Sequence, residues 1–251
     1  MNEAILKTSD ASAILCDASI AAQVGDEWFD PAHWHSGSVA GGRGAAWQVQ
    51  TTAGAAVLRH YRRGGAVARL LGDRYFWNGA ERSRPFAEFR LLRHLQSLQL
   101  PAPRPLAARY HRDGLFYRAD LLTHLIPEAQ TLAELVRDHR VDAALMREVG
   151  TTVAAFHANG VWHADLNAHN VLLASGVVHL IDFDRGELRA SREDWPQQNL
   201  ERLRRSLLKV GAAGEGAAHF DAALWHPLQQ AYTAARRVLD NGVAIAAERQ
   251  S

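Results

Sequence analysis

The chain has 251 residues, of which 47% are apolar, with 28 basic and 27 acidic side chains and a formal net charge of +1. That size and balance suit one large domain or two small lobes, and they exclude disordered, collagen-like and coiled-coil chains. The near-zero charge sets up no global field for nucleic acid, no apolar run approaches the roughly 18 residues needed to span a bilayer, and Met1-Asn2-Glu3-Ala4 lacks a basic-then-apolar leader. A cytoplasmic chain is expected. The single cysteine, Cys16, cannot close an internal disulfide and is expected as a buried small hydrophobe.

Residues 1 to 40 show weak periodicity beyond the apolar Ala13-Ile14-Leu15-Cys16 and the aromatic Trp28, Phe29 and Trp34. Gly41-Gly42-Arg43-Gly44 predicts a turn, Trp47-Gln48-Val49 a strand, and Ala55-Ala56-Val57-Leu58 its antiparallel neighbour across a short loop at Gly54. Between Arg59 and Arg93 nine arginines oppose only Asp73, Glu81 and Glu88. Such a stripe is either a solvated face or a docking face for phosphate, phospholipid or RNA. Lysine is nearly absent; only Lys7 and Lys209 exist.

Ser83 and Pro85 open a helix with Phe86, Phe89, Leu92 and Leu95 on one face, and Pro101, Pro103 and Pro105 stop it. Leu115-Phe116-Tyr117 and Asp120-Leu121-Leu122 predict two short strands. Composition shifts near residues 126 to 131, and helical spacing begins at Thr131, which divides the chain into an N-terminal β-rich lobe, 1–125, and a C-terminal helical lobe, 126–251. A helix is predicted over Ala143 to Ala158 with Asn159-Gly160 as its stop. Val171-Leu172-Leu173 and Val177-Val178-His179-Leu180 form a hairpin about Ser175-Gly176, and pairing Leu172-Leu173 with Val178-His179 carries Asn170 across to Ile181 or Asp182. From Trp195 the spacing is helical again, with Arg202, Arg204, Arg205 and Lys209 around Leu200, Leu203, Leu207 and Leu208.

Hard divalent cations take oxygen ligands, and Mg²⁺ at a phosphoryl-transfer site uses one or two protein groups, the rest being phosphate and water. Asn170 and Asp182 supply that pair. Asp165 precedes Asn170 by five residues on the loop before the hairpin, where it can orient an acceptor hydroxyl without being consumed as a ligand. His169 and His179 have no metal-type spacing and are expected as ordinary polar groups.

The pattern His163-x-Asp165-Leu166-x-x-x-Asn170, followed by Asp182-Phe183-Asp184, resembles the catalytic and metal-binding loops of the protein-kinase-like superfamily. The resemblance implies an α+β two-lobe fold: an N-terminal antiparallel β-sheet lobe with one helix, and a compact, mainly α-helical C-terminal lobe. It implies ATP and Mg²⁺ as cofactors and an architectural His163. Gly42-x-Gly44 resembles the loop over the ATP phosphates, and Arg59 stands where the family places its phosphate-binding lysine. Glu88 is by resemblance the carboxylate that pairs with it. Leu122-Thr123-His124-Leu125 resembles the hinge, where Thr123 and Leu125 would read adenine through backbone groups.

Ala164 replaces the arginine that normally meets an activation-loop phosphate, and no Ala-Pro-Glu motif follows Asp182, so a small-molecule or lipid-linked acceptor fits better than a peptide. Over nearly its whole length the chain resembles a narrower family. Phe29-Asp30-Pro31, Leu58-Arg59-His60-Tyr61-Arg62-Arg63-Gly64-Gly65, Arg82-Ser83-Arg84, Leu100-Pro101-x-Pro103, His163 to Asn170 and Ile181-Asp182-Phe183-Asp184-Arg185-Gly186 look like the 3-deoxy-D-manno-octulosonic acid (Kdo) kinases of lipopolysaccharide assembly. That resemblance implies transfer of phosphate from ATP to the 4-hydroxyl of a Kdo residue on a lipid A precursor. It also implies peripheral association with the anionic cytoplasmic face of the inner membrane, the Arg59 to Arg93 excess and the basic helix near 200–209 facing the lipid. The rival readings are a lipopolysaccharide core heptose kinase, an aminoglycoside phosphotransferase or a pseudokinase. Nucleic-acid binding is not expected, because aromatics are not interleaved with the arginines in a single-strand recognition pattern.

Overall fold

A computed structural model describes residues 4–9, 11–34, 46–62, 72–190, 194–214 and 216–248. The glycine turn at 41–44, with Gly42 and Gly44, lies outside the described residues. The chain divides into two compact units, Met1–Leu98 with Pro103–Ile126, and Gln99–Ala102 with Pro127–Ser251.

The first unit is an antiparallel sheet with one helix. Its strands are β1 (Ala4–Thr8), β2 (Ser12–Asp17), β3 (Ala46–Thr51), β4 (Gly54–His60), the short β5 (Tyr75–Phe76), β6 (Pro105–Asp113) and β7 (Phe116–His124). Their order is β1-β2-β6-β7-β4-β3, with β5 paired alongside β7. Phe116 to His124 form one continuous strand rather than two short ones, and Leu115 belongs to the tight turn before it, 74% exposed beside Gly114 at φ +59°. Its partner β6 carries no alternation, because Leu106, Ala107 and Ala108 are all buried while the end towards Asp113 is exposed.

The N-terminal segment, whose periodicity was weak, closes one face of this sheet. Short 3₁₀ turns at Ala18–Ile20 and Asp26–Phe29 pack Ile20, Val24, Trp28 and Phe29 with Ile14, Cys16, Val49, Leu58, Leu106 and Leu122. Cys16 is fully buried there, as expected of a small hydrophobe. Helix α1 (Arg84–Ser97) has Pro85 in its first turn and buries Phe86, Phe89, Leu92 and Leu95, the face predicted from spacing.

In the second unit β8 (Gln130–Thr131) leads into α2 (Leu132–Arg137) through a capping box. Thr131 accepts from the Glu134 amide, and the Glu134 side chain accepts from the Thr131 amide. That backbone bond holds the Glu134 carboxyl below its ordinary range. Helix α3 (Ala143–Ala158) starts at the Asp142 cap, whose side chain accepts from the Leu145 amide, and ends at Asn159, with Gly160 at φ +71°. Strands β9 (Val161–Trp162), β10 (Val171–Ala174), β11 (Val177–Leu180) and β12 (Glu187–Leu188) form two small ladders, β11-β10-β8 and β12-β9. Helices α4 (Trp195–Lys209), α5 (Ala217–Phe220) and α6 (His226–Glu248) follow, with a π turn over Asp221–Trp225.

Helices α3 and α6 approach closely because α3 carries Gly150. A Cβ built there would lie 2.3 Å from the Leu228 carbonyl oxygen and 3.1 Å from the Tyr232 amide nitrogen. Both obstacles are backbone, so one helix must shift to admit a methyl group. Gly150→Ala is therefore expected to cost about 1–3 kcal/mol in spite of alanine's better helix propensity; a urea midpoint equal to or above that of the wild-type chain would contradict this packing.

Candidate active site

The hairpin forms in the register anticipated. Leu172 pairs with His179, Leu173 with Val178 and Val171 with Leu180, which places Asn170 opposite Ile181. The Ile181 amide donates to the Asn170 carbonyl at 3.0 Å, so Asp182 leaves the strand beside Asn170, with φ +62° at Asp182 turning the chain. Before the hairpin, Asp165 is fixed through its backbone. Its carbonyl accepts from Asn170 Nδ2 at 2.9 Å and from Asn167 Nδ2 at 3.0 Å, and its amide donates to His163 Nδ1 at 3.1 Å. Asp165, Asn170 and Asp182 thus converge at the open end of one ribbon.

His163 is the tie between loop and hairpin. It is 2% exposed; Nδ1 accepts from the Asp165 amide and Nε2 donates to the Ile181 carbonyl at 2.9 Å. Those two bonds require one neutral tautomer, and burial pushes its pKa down to about 4, with the Ile181 bond opposing only in part. Phe183 packs against the ring at 4.8 Å between centroids and stacks on Phe156 of α3 at 5.6 Å. Helix α4 holds the loop from the other side. Asn199 Oδ1 accepts from the His163 amide, Asn199 Nδ2 donates to the His163 carbonyl, and Ser206 Oγ accepts from the Ala168 amide. His157 joins the network through Asn199 and the Tyr232 hydroxyl, and burial lowers its pKa to about 3.

In the first unit, Arg59 of β4 and Glu88 of α1 are in direct contact. Glu88 is buried, and it also accepts from the Tyr61 hydroxyl, while the Arg59 guanidinium lies 4.7 Å from the centre of the Tyr61 ring. A buried carboxylate is tolerable because two donors meet it. Thr123 pairs with Val57 and Pro105 inside the sheet, and the Leu125 amide donates to the Ala55 carbonyl at 3.0 Å. That bond occupies the Leu125 amide within the first unit. His60 donates both ring protons to carboxylates, Asp120 at 2.7 Å and Asp73 at 3.0 Å, and the Asp120 bond above all raises its pKa.

The arginine stripe differs from an open docking face. Arg59 pairs with Glu88, Arg90 with Glu81 and Arg93 with Asp17, and Arg84 lies over the rings of Tyr61 and Tyr75. On α4, Arg204 is bound to Asp221 and Arg202 to Asp165. Much of the local charge excess is spent inside the fold. Exposed cations remain at Arg62, Arg82, Arg205 and Lys209.

A divalent cation would fit the hairpin mouth. Asn170 spends its nitrogen on the Asp165 carbonyl, which leaves its amide oxygen for a hard cation, and Asp182 offers a carboxylate. Among the described residues no group of three or more His, Cys, Asp or Glu is arranged to hold a metal without help from phosphate. Sequence reasoning missed Arg202 as an individual residue and missed Asn199 altogether. Asn199 is a polar side chain on the buried stripe of Trp195, Leu200, Leu203 and Leu207, a pattern that by itself signals a required hydrogen-bond partner.

A two-unit chain with this loop-and-hairpin constellation belongs to the protein-kinase-like phosphotransferases. Its described fold is similar to a solved WaaP, in complex with acyl carrier protein, at TM-score 0.52 and 18% identity, covering 85% of this chain and 87% of that one. The family model for "Lipopolysaccharide kinase (Kdo/WaaP) family" matches residues 30–232. Proteins named 3-deoxy-D-manno-octulosonic acid kinase are 48% identical over 204 residues in Stenotrophomonas maltophilia, over 202 in Xylella fastidiosa and over 205 in Xanthomonas campestris, each match covering 79% of this chain and 81% of the relative. The chain is a kinase of the lipopolysaccharide kinase (Kdo/WaaP) family.

His163 and His157 are neutral when folded and must be charged in acid, so the unfolded chain binds more protons below about pH 6.5, and stability falls as pH drops towards about 4. His60 has the opposite sign, because its raised pKa gives stability that is present below about 6.5 and lost as pH rises through the folded value. The unfolding free energy from urea titrations is expected to fall between about pH 6.5 and 4.5, by about 2 kcal/mol from His163 alone. His60→Gln should lower stability across that acid limb with little change in its slope, and its effect should fade as pH rises above about 6.5. A flat acid limb, or a His60→Gln effect that grows above about pH 6.5, would contradict these assignments.

Proposed function

We propose that the chain transfers the γ-phosphate of ATP to the 4-hydroxyl of a Kdo residue on a lipid A precursor. The observation that carries this is that hydrogen bonds tie Asp165 to Asn170 and Asn170 to Ile181, the residue before Asp182, at the hairpin mouth, in a chain whose curated relatives are named for that sugar acid. In this reading Asp165 is the catalytic residue. Its backbone is immobilised by three bonds, so its carboxylate is held to orient the acceptor hydroxyl and to accept its proton late in the transfer. Asn170 and Asp182 would hold Mg²⁺, which when bound offsets phosphate charge.

Arg59 serves as phosphate cation, its fork braced by Glu88 and Tyr61. A guanidinium binds phosphate oxygens two at a time, where the lysine usual at this place acts as a point charge. Gly42 and Gly44 would cover the phosphates, and Thr123 and Leu125 flank the adenine. Electrostatics and positioning supply most of the rate in such transfers, which is why rigidity around Asp165 matters more than any unusual reactivity.

No described helix is long and apolar enough to cross a membrane. A lipid-borne acceptor and the exposed Arg62, Arg82, Arg205 and Lys209 favour peripheral association with the cytoplasmic face of the inner membrane. Retention on anionic vesicles should therefore be lost as salt rises, and retention that ignores salt would contradict charge-driven docking.

The direct test incubates the chain with labelled ATP and three acceptors: a Kdo-bearing lipid A precursor, a heptose-bearing core and a generic protein. Label in the Kdo glycolipid is expected; label only in the heptose core or the protein would overturn the reading. Asp165→Asn should lower kcat by at least about 10³-fold while ATP affinity stays within about threefold. Asp182→Asn should weaken Mg·ATP binding as well as turnover, and equilibrium nucleotide binding separates the two.

A further inference from the structure

One face of α4 addresses the loop at three successive points. Asn199 and Ser206 bond backbone groups of His163 and Ala168 and so fix the loop itself. Arg202, which shares that face by the three- and four-residue spacing of a helix, touches only a side chain. Its Nε donates to Asp165 Oδ1 at 2.8 Å, and its Nη2 donates to the same oxygen. Among the described residues, Asp165 Oδ2 and Arg202 Nη1 have no other hydrogen-bond partner.

The grip is unusual for arginine, whose planar fork normally meets both oxygens of a carboxylate. Both side chains are also nearly half exposed, at 46% and 48%. An exposed ion pair of this kind adds little to stability, so folding does not account for a guanidinium held at the acceptor-orienting carboxylate. Breaking it is correspondingly cheap. The sugar named in the relatives is an acid. In a 3-deoxy-ulosonic acid the carboxylate is carbon 1 and the first hydroxyl beyond the deoxy carbon is on carbon 4, so the two groups lie close along the same edge of the sugar. A site that takes that hydroxyl at Asp165 brings the carboxylate within reach of a cation beside Asp165.

Resting on the reading of Asp165 given above, we propose that Arg202 receives the carboxylate of the acceptor and sets the preference for a sugar acid over a neutral sugar. Before the acceptor arrives, Arg202 holds Asp165 by one oxygen. When the acceptor binds, its carboxylate takes the two-oxygen fork and Asp165 turns its released oxygen to the hydroxyl. The cation then also offsets the repulsion between two carboxylates in one site.

The test compares the Kdo-bearing acceptor with its carboxyl methyl ester, for the wild-type chain, Arg202→Gln and Arg202→Lys. For the wild-type chain the ester should raise acceptor KM by about 10–100-fold, the range expected for a lost charge-assisted hydrogen bond. Arg202→Gln should show that same rise with the acid and no further rise with the ester, while its KM for ATP and its thermal midpoint stay near wild type. Arg202→Lys should fall between. Arg202→Gln that keeps the full acid-over-ester preference, or that loses kcat equally with both acceptors at unchanged acceptor KM, would assign Arg202 to bracing Asp165 or to phosphate and overturn the proposal. Absence of turnover with either acceptor in the wild-type chain would instead remove the Kdo reading, and this inference with it.

Discussion

The geometry of the site depends on one buried, uncharged imidazole. His163 accepts from the amide of Asp165 on one side and donates to the carbonyl of Ile181 on the other, so a single ring sets the spacing between Asp165, proposed to orient the acceptor, and the two residues at the hairpin mouth. Only the neutral form can accept and donate at once, and burial secures that form by making the charged one costly. The surrounding contacts preserve this state. Phe183 and Phe156 exclude water from one side, and Asn199 satisfies both backbone groups of His163 from the other.

Much of this was legible before any coordinates. The hairpin register followed from two apolar runs and a Ser-Gly turn, because a one-residue slip would turn the buried Val171 away from the face it shares with the buried Val178 and Leu180. Helix α3 matched its predicted span, since the apolar face is regular and Asn159-Gly160 is a local stop. The N-terminal segment and β6 were not legible, for a common reason. Their residues are chosen for burial against a sheet assembled from distant parts of the chain, and such positions show neither helical nor alternating periodicity. The arginines misled in the other direction. Composition records charge but not pairing, and most of the described arginines of the stripe have their partners within the fold.

Arginine dominates where the wider superfamily relies on lysine. With Lys7 and Lys209 as the only lysines in the chain, the two cations given roles in the proposed chemistry, Arg59 and Arg202, are both guanidinium groups. Each is also in contact with a carboxylate, Glu88 in one unit and Asp165 in the other. The pairings differ in kind. Glu88 is buried and bound by two donors, which makes Arg59 a fixed element, whereas the Asp165 pair lies open to solvent and can exchange partners at little cost.

The burial of Phe183 bears on how such an enzyme is controlled. In protein kinases the packing of the aromatic in this motif sets the active or inactive state. Here that ring is fully enclosed between α3 and the loop imidazole. Withdrawing it into water would cost about 3 kcal/mol in hydrophobic transfer alone, a bias of about a hundred to one against the parked arrangement. An off position reached by expelling this ring is therefore a costly one for this chain.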